Sequence, residues 1–265
     1  MKFNNDILLR YMSLAPLALA FERILECRIY AQQEIDHPIL DIGCGEGLFA
    51  KVLFSEKIDT GIDPNSSELE RARDLGGYNE LVLCHGDAIP KPSESYKTIF
   101  LNSVLEHIPE LTPVLQEAYR LLMPGGRFFI TVPSDNFDHY TVISQLLTTL
   151  GLTRMAEKFR RSYNKFWKHY HYYNLENWCD LATQAGFIVM EAYTYNPKRI
   201  CILNDFLVPF SIPAFLIKRI TNRWVLFPCW RKIIIYPIAL VAKRILAGGE
   251  KANQGGLVFL ALTKE

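Results

Sequence analysis

Three glycines spaced two residues apart, Gly43, Gly45 and Gly47, follow the apolar run Ile39-Leu40-Asp41-Ile42 and precede the helix-like stretch from Leu48 to Phe54. The apolar run reads as the end of a buried strand, so the glycines occupy a strand-to-helix turn. Such a turn permits positive φ, lacks the Cβ atoms that hold a ligand off the backbone, and presents the unpaired N–H groups of the next helix. It points to an α/β chain that binds a ligand at the carboxyl edge of its sheet.

The spacing narrows the ligand. A dinucleotide turn is written G-x-G-x-x-G and a phosphate loop ends in Gly-Lys-Ser/Thr, whereas this chain has G-x-G-x-G with Asp41 ahead of it and Glu46 inside it. Two acids beside a pyrophosphate repel it, and suit a ligand with positive charge and no phosphate. A second strand, Ile58 to Ile62, ends in Asp63, placed as the acid that accepts hydrogen bonds from a ribose diol. A third, Glu80 to Cys84, runs into Gly86-Asp87-Ala88, and a fourth, Thr98 to Leu101, into Asn102-Ser103-Val104-Leu105-Glu106-His107-Ile108. Taken singly these have plainer readings: Asp63 as a helix N-cap beside Pro64-Asn65-Ser66, and Gly86-Asp87 as an ordinary turn. Their recurrence at the ends of successive strands favours a ligand site.

Asp41-x-Gly43-x-Gly45-x-Gly47, Asp63, the Gly86-Asp87-Ala88 turn, Val104 to Ile108, and Leu122-Met123-Pro124-Gly125-Gly126 before a fifth strand at Phe128 to Val132 form an ordered set. The set resembles the class I S-adenosylmethionine-dependent methyltransferases, in the group that modifies small metabolites and lipids. His169, Asn174-Leu175-Glu176 and Ala185-Gly186-Phe187 extend the resemblance, and Gly255 to Leu262 suits the antiparallel strand which that family inserts between its fifth and sixth. It implies a Rossmann-like, seven-stranded, mostly parallel sheet and S-adenosylmethionine as cofactor. It further implies Asp41 near the methionine end, Gly43, Cys44, Gly45 and Gly47 lining the donor, Asp63 and Pro64 at the ribose, Asp87 and Ala88 flanking adenine, and Asn102 and Ser103 on the floor. Tyr96-Lys97 departs from the pattern, standing where the group often has an acid. Methyl transfer is a direct displacement, so positioning and exclusion of water carry most of the catalysis. His107 and His169 are the candidate general bases, since neutral imidazole accepts protons near neutral pH. Each equally suits a capping or packing role, and a good nucleophile needs no base.

The 265 residues accommodate one α/β domain of about 200 residues with insertions. Six cysteines without a C-x-x-C pair suggest neither a metal site nor a disulfide framework, and imply a reducing, cytoplasmic setting. Met12 to Phe21 is like the apolar core of a signal peptide, but Pro16 interrupts it and Glu22-Arg23 follows at once. Residues 1 to 35 therefore read as an N-terminal helical segment, with an amphipathic helix over 5 to 34. Residues 36 to 195 and 253 to 265 form the methyltransferase domain. Within it, 134 to 173 is a helical lid carrying Arg154, Lys158, Arg160, Arg161, Lys165 and Lys168, most of which read as a solvated basic face, and Asn174 caps a helix closed by Gly186.

Residues 196 to 252 stand apart. Ten lysines and arginines against Asp205 and Glu250 give this segment +8, in a chain whose net charge is +1, so the remainder carries −7. The apolar runs between these charges fall short of the roughly 18 to 20 residues that span a bilayer. Basic residues interleaved with apolar stretches bordered by Trp224 and Trp230 suit a segment lying in the plane of an anionic membrane surface. A helical packing unit broken by Pro209, Pro213, Pro228 and Pro237 is the alternative. Long aliphatic runs argue against nucleic acid. Three functions stay open: methyl transfer to an amphiphilic or lipid-like acceptor by a cytoplasmic, peripherally membrane-bound enzyme; transfer to a soluble metabolite, with the insertion serving substrate binding or a homodimer; or non-catalytic binding of S-adenosylmethionine.

Overall fold

The computed structural model describes residues 1–265. Seven strands form one sheet: β1 (Ile39–Ile42), β2 (Ile58–Asp63), β3 (Tyr78–Leu83), β4 (Tyr96–Asn102), β5 (Leu122–Pro133), β6 (Ile188–Pro197) and β7 (Gly255–Thr263). Their order is 3-2-1-4-5-7-6; the first five run parallel, and β7 is antiparallel to both of its neighbours. β1 and β7 are buried almost throughout, as apolar strands covered on both faces must be. The strand order reverses between β1 and β4, and such a switch point opens a crevice at the carboxyl edge of the sheet.

The helices are α1 (Ile7–Leu14), α2 (Leu17–Tyr30), α3 (Leu48–Leu53), α4 (Ser66–Leu75), α5 (Leu111–Leu121), α6 (Val142–Thr149), α7 (Thr153–Trp167), α8 (Leu175–Gln184), α9 (Lys198–Leu207), α10 (Ile212–Thr221) and α11 (Pro228–Ile245). The single N-terminal helix expected from sequence is two, because Pro16 has no N–H to continue the first and its ring disfavours a helical residue before it. α2 is also not amphipathic in the expected sense. Ala20, Phe21, Ile24, Leu25, Cys27 and Ile29 bury nearly its whole circumference, and the Tyr30 ring stands edge-on to Phe100, Phe129 and Phe259 of the sheet. The other face of the sheet packs Phe128 and Phe187 beside Trp178 of α8.

After β5 comes the helical segment α6 and α7. Arg154, Lys158, Arg161 and Lys165 are exposed, while Tyr163 and Trp167 of the same helix turn inward. The segment between β6 and β7 folds into α9, α10 and α11. Pro213 and Pro228 lie in first turns, where a missing N–H is no loss. Pro237 lies inside α11 without ending it, so that helix runs for 18 residues. α11 packs Ile235, Ala239 and Ala242 toward α1 and exposes Ile233, Ile234, Leu240 and Val241 on its outer side. No single helix is long and apolar enough to cross a membrane; Lys198–Leu207 and Pro209–Thr221 pass that test only as a pair bent by 42°.

Candidate functional site

The glycine turn closes onto β2 through the N–H groups of Gly43 and Cys44, both donating to the Ile62 carbonyl at 2.9 Å. All three glycines have positive φ, at 74°, 52° and 76°. Their surroundings differ. A Cβ on Gly43 would lie 2.5 Å from Val104 Cγ2, and one on Gly47 2.9 Å from the Tyr78 ring, whereas one on Gly45 would meet nothing within 4 Å. Gly43 and Gly47 are therefore close-packing positions, and Gly45 presents the bare backbone.

The Gly45 N–H donates to Asp63 Oδ2 at 3.0 Å, and the other carboxylate oxygen accepts from Asn65 N at 2.8 Å. Asn65, not Asp63, is the N-cap of α4, its side chain accepting from Ser67 N. Asp63 is thus fixed beside the turn, its pKa raised by burial. Pro64, Asp87 and Ala88 are exposed along the same edge. Asp41 is 4% exposed and accepts from the Tyr78 hydroxyl at 2.6 Å; burial lifts its carboxyl to about 6. Burial also pushes the Cys44 thiol far up, which keeps it protonated. A bare backbone face next to a positioned carboxylate fits the sugar and cationic portion of S-adenosylmethionine.

Glu46 does not face that edge as the sequence suggested. Its Oε2 lies 3.0 Å from Lys218 Nζ of α10, and its Oε1 accepts from Trp224 Nε1. Lys218 also sits 3.7 Å from Glu68 and 4.3 Å from the centre of the Trp224 ring. A long-range partner that no local spacing reveals thus neutralises one of the two acids, and α10 is tied to the glycine turn.

At the end of β4, Ser103 adopts a left-handed conformation, φ 53°, and enters a network with α2. Glu26, fully buried, accepts from Arg23 Nη1 at 2.8 and 3.0 Å, Asn102 Nδ2 at 2.9 Å, Ser103 Oγ at 3.3 Å and Tyr195 Oη at 3.2 Å. Arg23 Nη1 also donates to Ser103 Oγ at 2.6 Å. A buried charge pair persists when its remaining hydrogen-bonding capacity is met in this way. Asn102 and Ser103 are consequently held from beneath, and Ser103 reaches the wall of a cavity.

That cavity, about 270 Å³, is bounded by Ser103, Glu106 and His107 after β4, by Tyr163 of α7 and His169 just beyond it, by Asn196 near the end of β6 and by Asn204 of α9. His107 and His169, far apart in sequence, bring their ring centres to 5.2 Å. His107 Nδ1 lies 3.2 Å from the Lys168 carbonyl, which assigns it the proton and leaves Nε2, 3.9 Å from Glu106 Oε1, with its lone pair. Burial lowers both imidazole pKa values, that of His169 to about 4 with His107 contributing. Glu106 is 4% exposed, and burial pushes its carboxyl up to about 8. Four buried atoms on these walls, Glu106 Oε2, His169 Nδ1, Asn196 Oδ1 and Asn204 Oδ1, have no hydrogen-bond partner. Buried polar atoms are normally paired, and an unpaired one costs about 1 to 3 kcal/mol.

The sequence reading named both histidines but none of Arg23, Glu106, Asn196 or Asn204 as site residues. Glu106 lies in the very motif that supplied His107, and its inward side was not legible there. The others arrive through α2, the end of β6 and α9, whose docking has no local signature.

A methyltransferase domain matches residues 14–192, ending before the insertion begins. The ubiquinone biosynthesis O-methyltransferase of Actinobacillus pleuropneumoniae serotype 5b is 26% identical over 170 residues, covering 60% of this chain and 70% of that protein. The protein of the same name from Coxiella burnetii is 25% identical over 192 residues, 63% of this chain and 82% of its own. Among solved structures, an S-adenosylmethionine-dependent methyltransferase from Thermotoga maritima shares the fold with a TM-score of 0.58 at 18% identity, over 94% of this chain and 92% of its own. A Haemonchus contortus phosphoethanolamine N-methyltransferase bound to S-adenosylhomocysteine does so with 0.52 at 19% identity, over 94% and 54%. The domain match spans well over half the chain, and the sheet carries its glycine turn at the switch point: the chain belongs to the methyltransferase-domain family and is a class I S-adenosylmethionine-dependent methyltransferase.

Proposed function

We propose that this enzyme methylates a hydroxyl oxygen of an amphiphilic acceptor taken from an anionic membrane surface, on which it resides peripherally at the cytoplasmic side. The observation that carries the reading is the cavity with four unpaired buried polar atoms beside a helical surface that is apolar and cationic at once. A head group bearing hydroxyls supplies the missing partners. The surface supplies the setting: Phe210 and Trp230 are each 70% exposed, and Arg219, Arg223, Lys232, Lys243 and Arg244 are exposed among such residues. The names of the two bacterial relatives, which place them in ubiquinone biosynthesis, support an amphiphile of quinone-precursor type.

In this reading Gly43, Cys44, Gly45 and Gly47 receive the donor, Asp63 and Pro64 hold its ribose, and Asp87 and Ala88 flank its adenine. Asp41 supports the turn through Tyr78, and Asn102 and Ser103 keep the floor in place. The bound donor supplies an electrophilic methyl group. The protein's own part is to align the acceptor, exclude water and take the hydroxyl proton. Glu106, with a pKa near 8, is the best matched base, and neutral His107 and His169 orient the acceptor oxygen beside it. Incubation with labelled methyl donor and host membrane extract tests the proposal. Label in an organic-soluble, alkali-stable ether is the expected result; label confined to water-soluble products refutes it.

A further inference from the structure

An apolar groove of about 530 Å³ lies against the polar cavity. Leu17 lines it from the start of α2, Ala214 and Ile217 from α10, Phe227 from the residue before α11, and Trp230 and Ile234 from its first turns. Its one charged wall residue, Arg231, turns its guanidinium onto the Met12 and Ala15 carbonyls at 3.0 Å each. Pro16, Ser211 and Trp224 line both spaces, so the two adjoin across these three residues. Trp224 is braced between them by Phe215, centre to centre 4.9 Å, and by its bond to Glu46.

We infer that this groove receives the hydrocarbon tail of the acceptor, an unbranched or isoprenoid chain whose hydroxylated head occupies the polar cavity. The inference rests on the proposed acceptor class and adds where its apolar part is held. Two adjoining compartments, one lined by unpaired polar atoms and the other almost wholly by hydrocarbon, divide as an amphiphile divides. A small soluble acceptor fills the first and leaves the second wet. The outer lip of the groove, Phe210, Phe227 and Trp230, is more than two-thirds exposed, which places the tail's entry on the surface that meets lipid.

The test uses the full chain and a series of 1-alkanols from six to fourteen carbons below their aggregation limits, with binding read by tryptophan fluorescence. Each buried methylene is worth about 0.8 kcal/mol, so the dissociation constant falls about fourfold per carbon until the groove is filled. Ala214→Phe, which occupies the groove, and Ile217→Asn, which makes it polar without enlarging a side chain, both flatten the series while calorimetry still detects S-adenosylmethionine binding. Affinities independent of chain length, or a series unchanged in both variants, overturn the inference. So does sedimentation showing a native dimer that Ala214→Phe makes monomeric, which assigns the groove to a second copy. The readout needs no turnover, so a flat series removes the tail site while the membrane-extract experiment separately judges the acceptor.

Discussion

Glu106 owes its proton affinity to the walls around it. A carboxyl held near pH 8 is largely neutral at pH 7, so turnover that needs its ionised form rises with pH, about tenfold per unit below 8, before levelling off. Glu106→Gln should lower kcat by roughly 10² to 10⁴ with donor binding unchanged by calorimetry. The same residue predicts the opposite effect on stability. Its folded pKa lies above the ordinary 4.5, so the stabilisation it contributes is complete below that value and lost as pH rises through about 8. The glutamine variant should therefore melt higher than the native chain at pH 9, and an equal or lower melting temperature refutes the burial argument. His169 works the other way: its depressed pKa makes stability fall as pH drops from 6.5 through about 4. The glycines separate just as cleanly. Gly45→Ala should fold with a loss of about 1 to 2 kcal/mol from its left-handed backbone, yet bind the donor poorly. Gly43→Ala should lose more stability, because its new Cβ meets Val104. Denaturant melts beside donor titrations distinguish the two, and equal donor affinity in Gly45→Ala and the native chain refutes the bare-backbone role.

Among elements, those with a local signature were legible. The sequence places β1, the Asn174 cap and the closing Gly186 where the structure has them, because apolar runs, capping side chains and positive-φ glycines act over a few residues. Two elements depart from expectation, the first through proline's own covalent chemistry and the second through tertiary packing. Pro16 divides the N-terminal helix, while Pro237 leaves α11 whole, packed along α1 by Ile235 and Ala239. Glu46 was legible as an acid in the turn but not as the partner of Lys218, 172 residues further on. That contact makes a prediction at this scale: Lys218→Ala should speed amide hydrogen exchange at Gly45 to Gly47 as well as in α10. Faster exchange confined to α10 would show that the two move independently.

At the scale of the whole molecule, net charge conceals the arrangement. The +1 total divides into a cationic insertion on an acidic domain, and part of that contrast is internal pairing, Lys218 with Glu46 and Lys251 with Glu191. Among the exposed remainder, Arg219, Arg223, Lys232, Lys243 and Arg244 stand on or beside α10 and α11. Replacing these five by glutamate should abolish flotation with anionic vesicles and leave binding to neutral ones little changed, since each basic side chain near an anionic surface is worth about 1 kcal/mol. Unaltered flotation refutes surface attraction by this face. The sequence disclosed the segment's chemistry through composition, but not its seat against the glycine turn, because packing between distant segments leaves no periodicity to read. From that seat follows a reciprocity. The ion pair between Lys218 and Glu46 joins the cationic insertion to the glycine turn, so any surface that displaced α10 and thereby changed donor affinity by some factor would itself be gripped more or less tightly by that same factor once the donor is aboard.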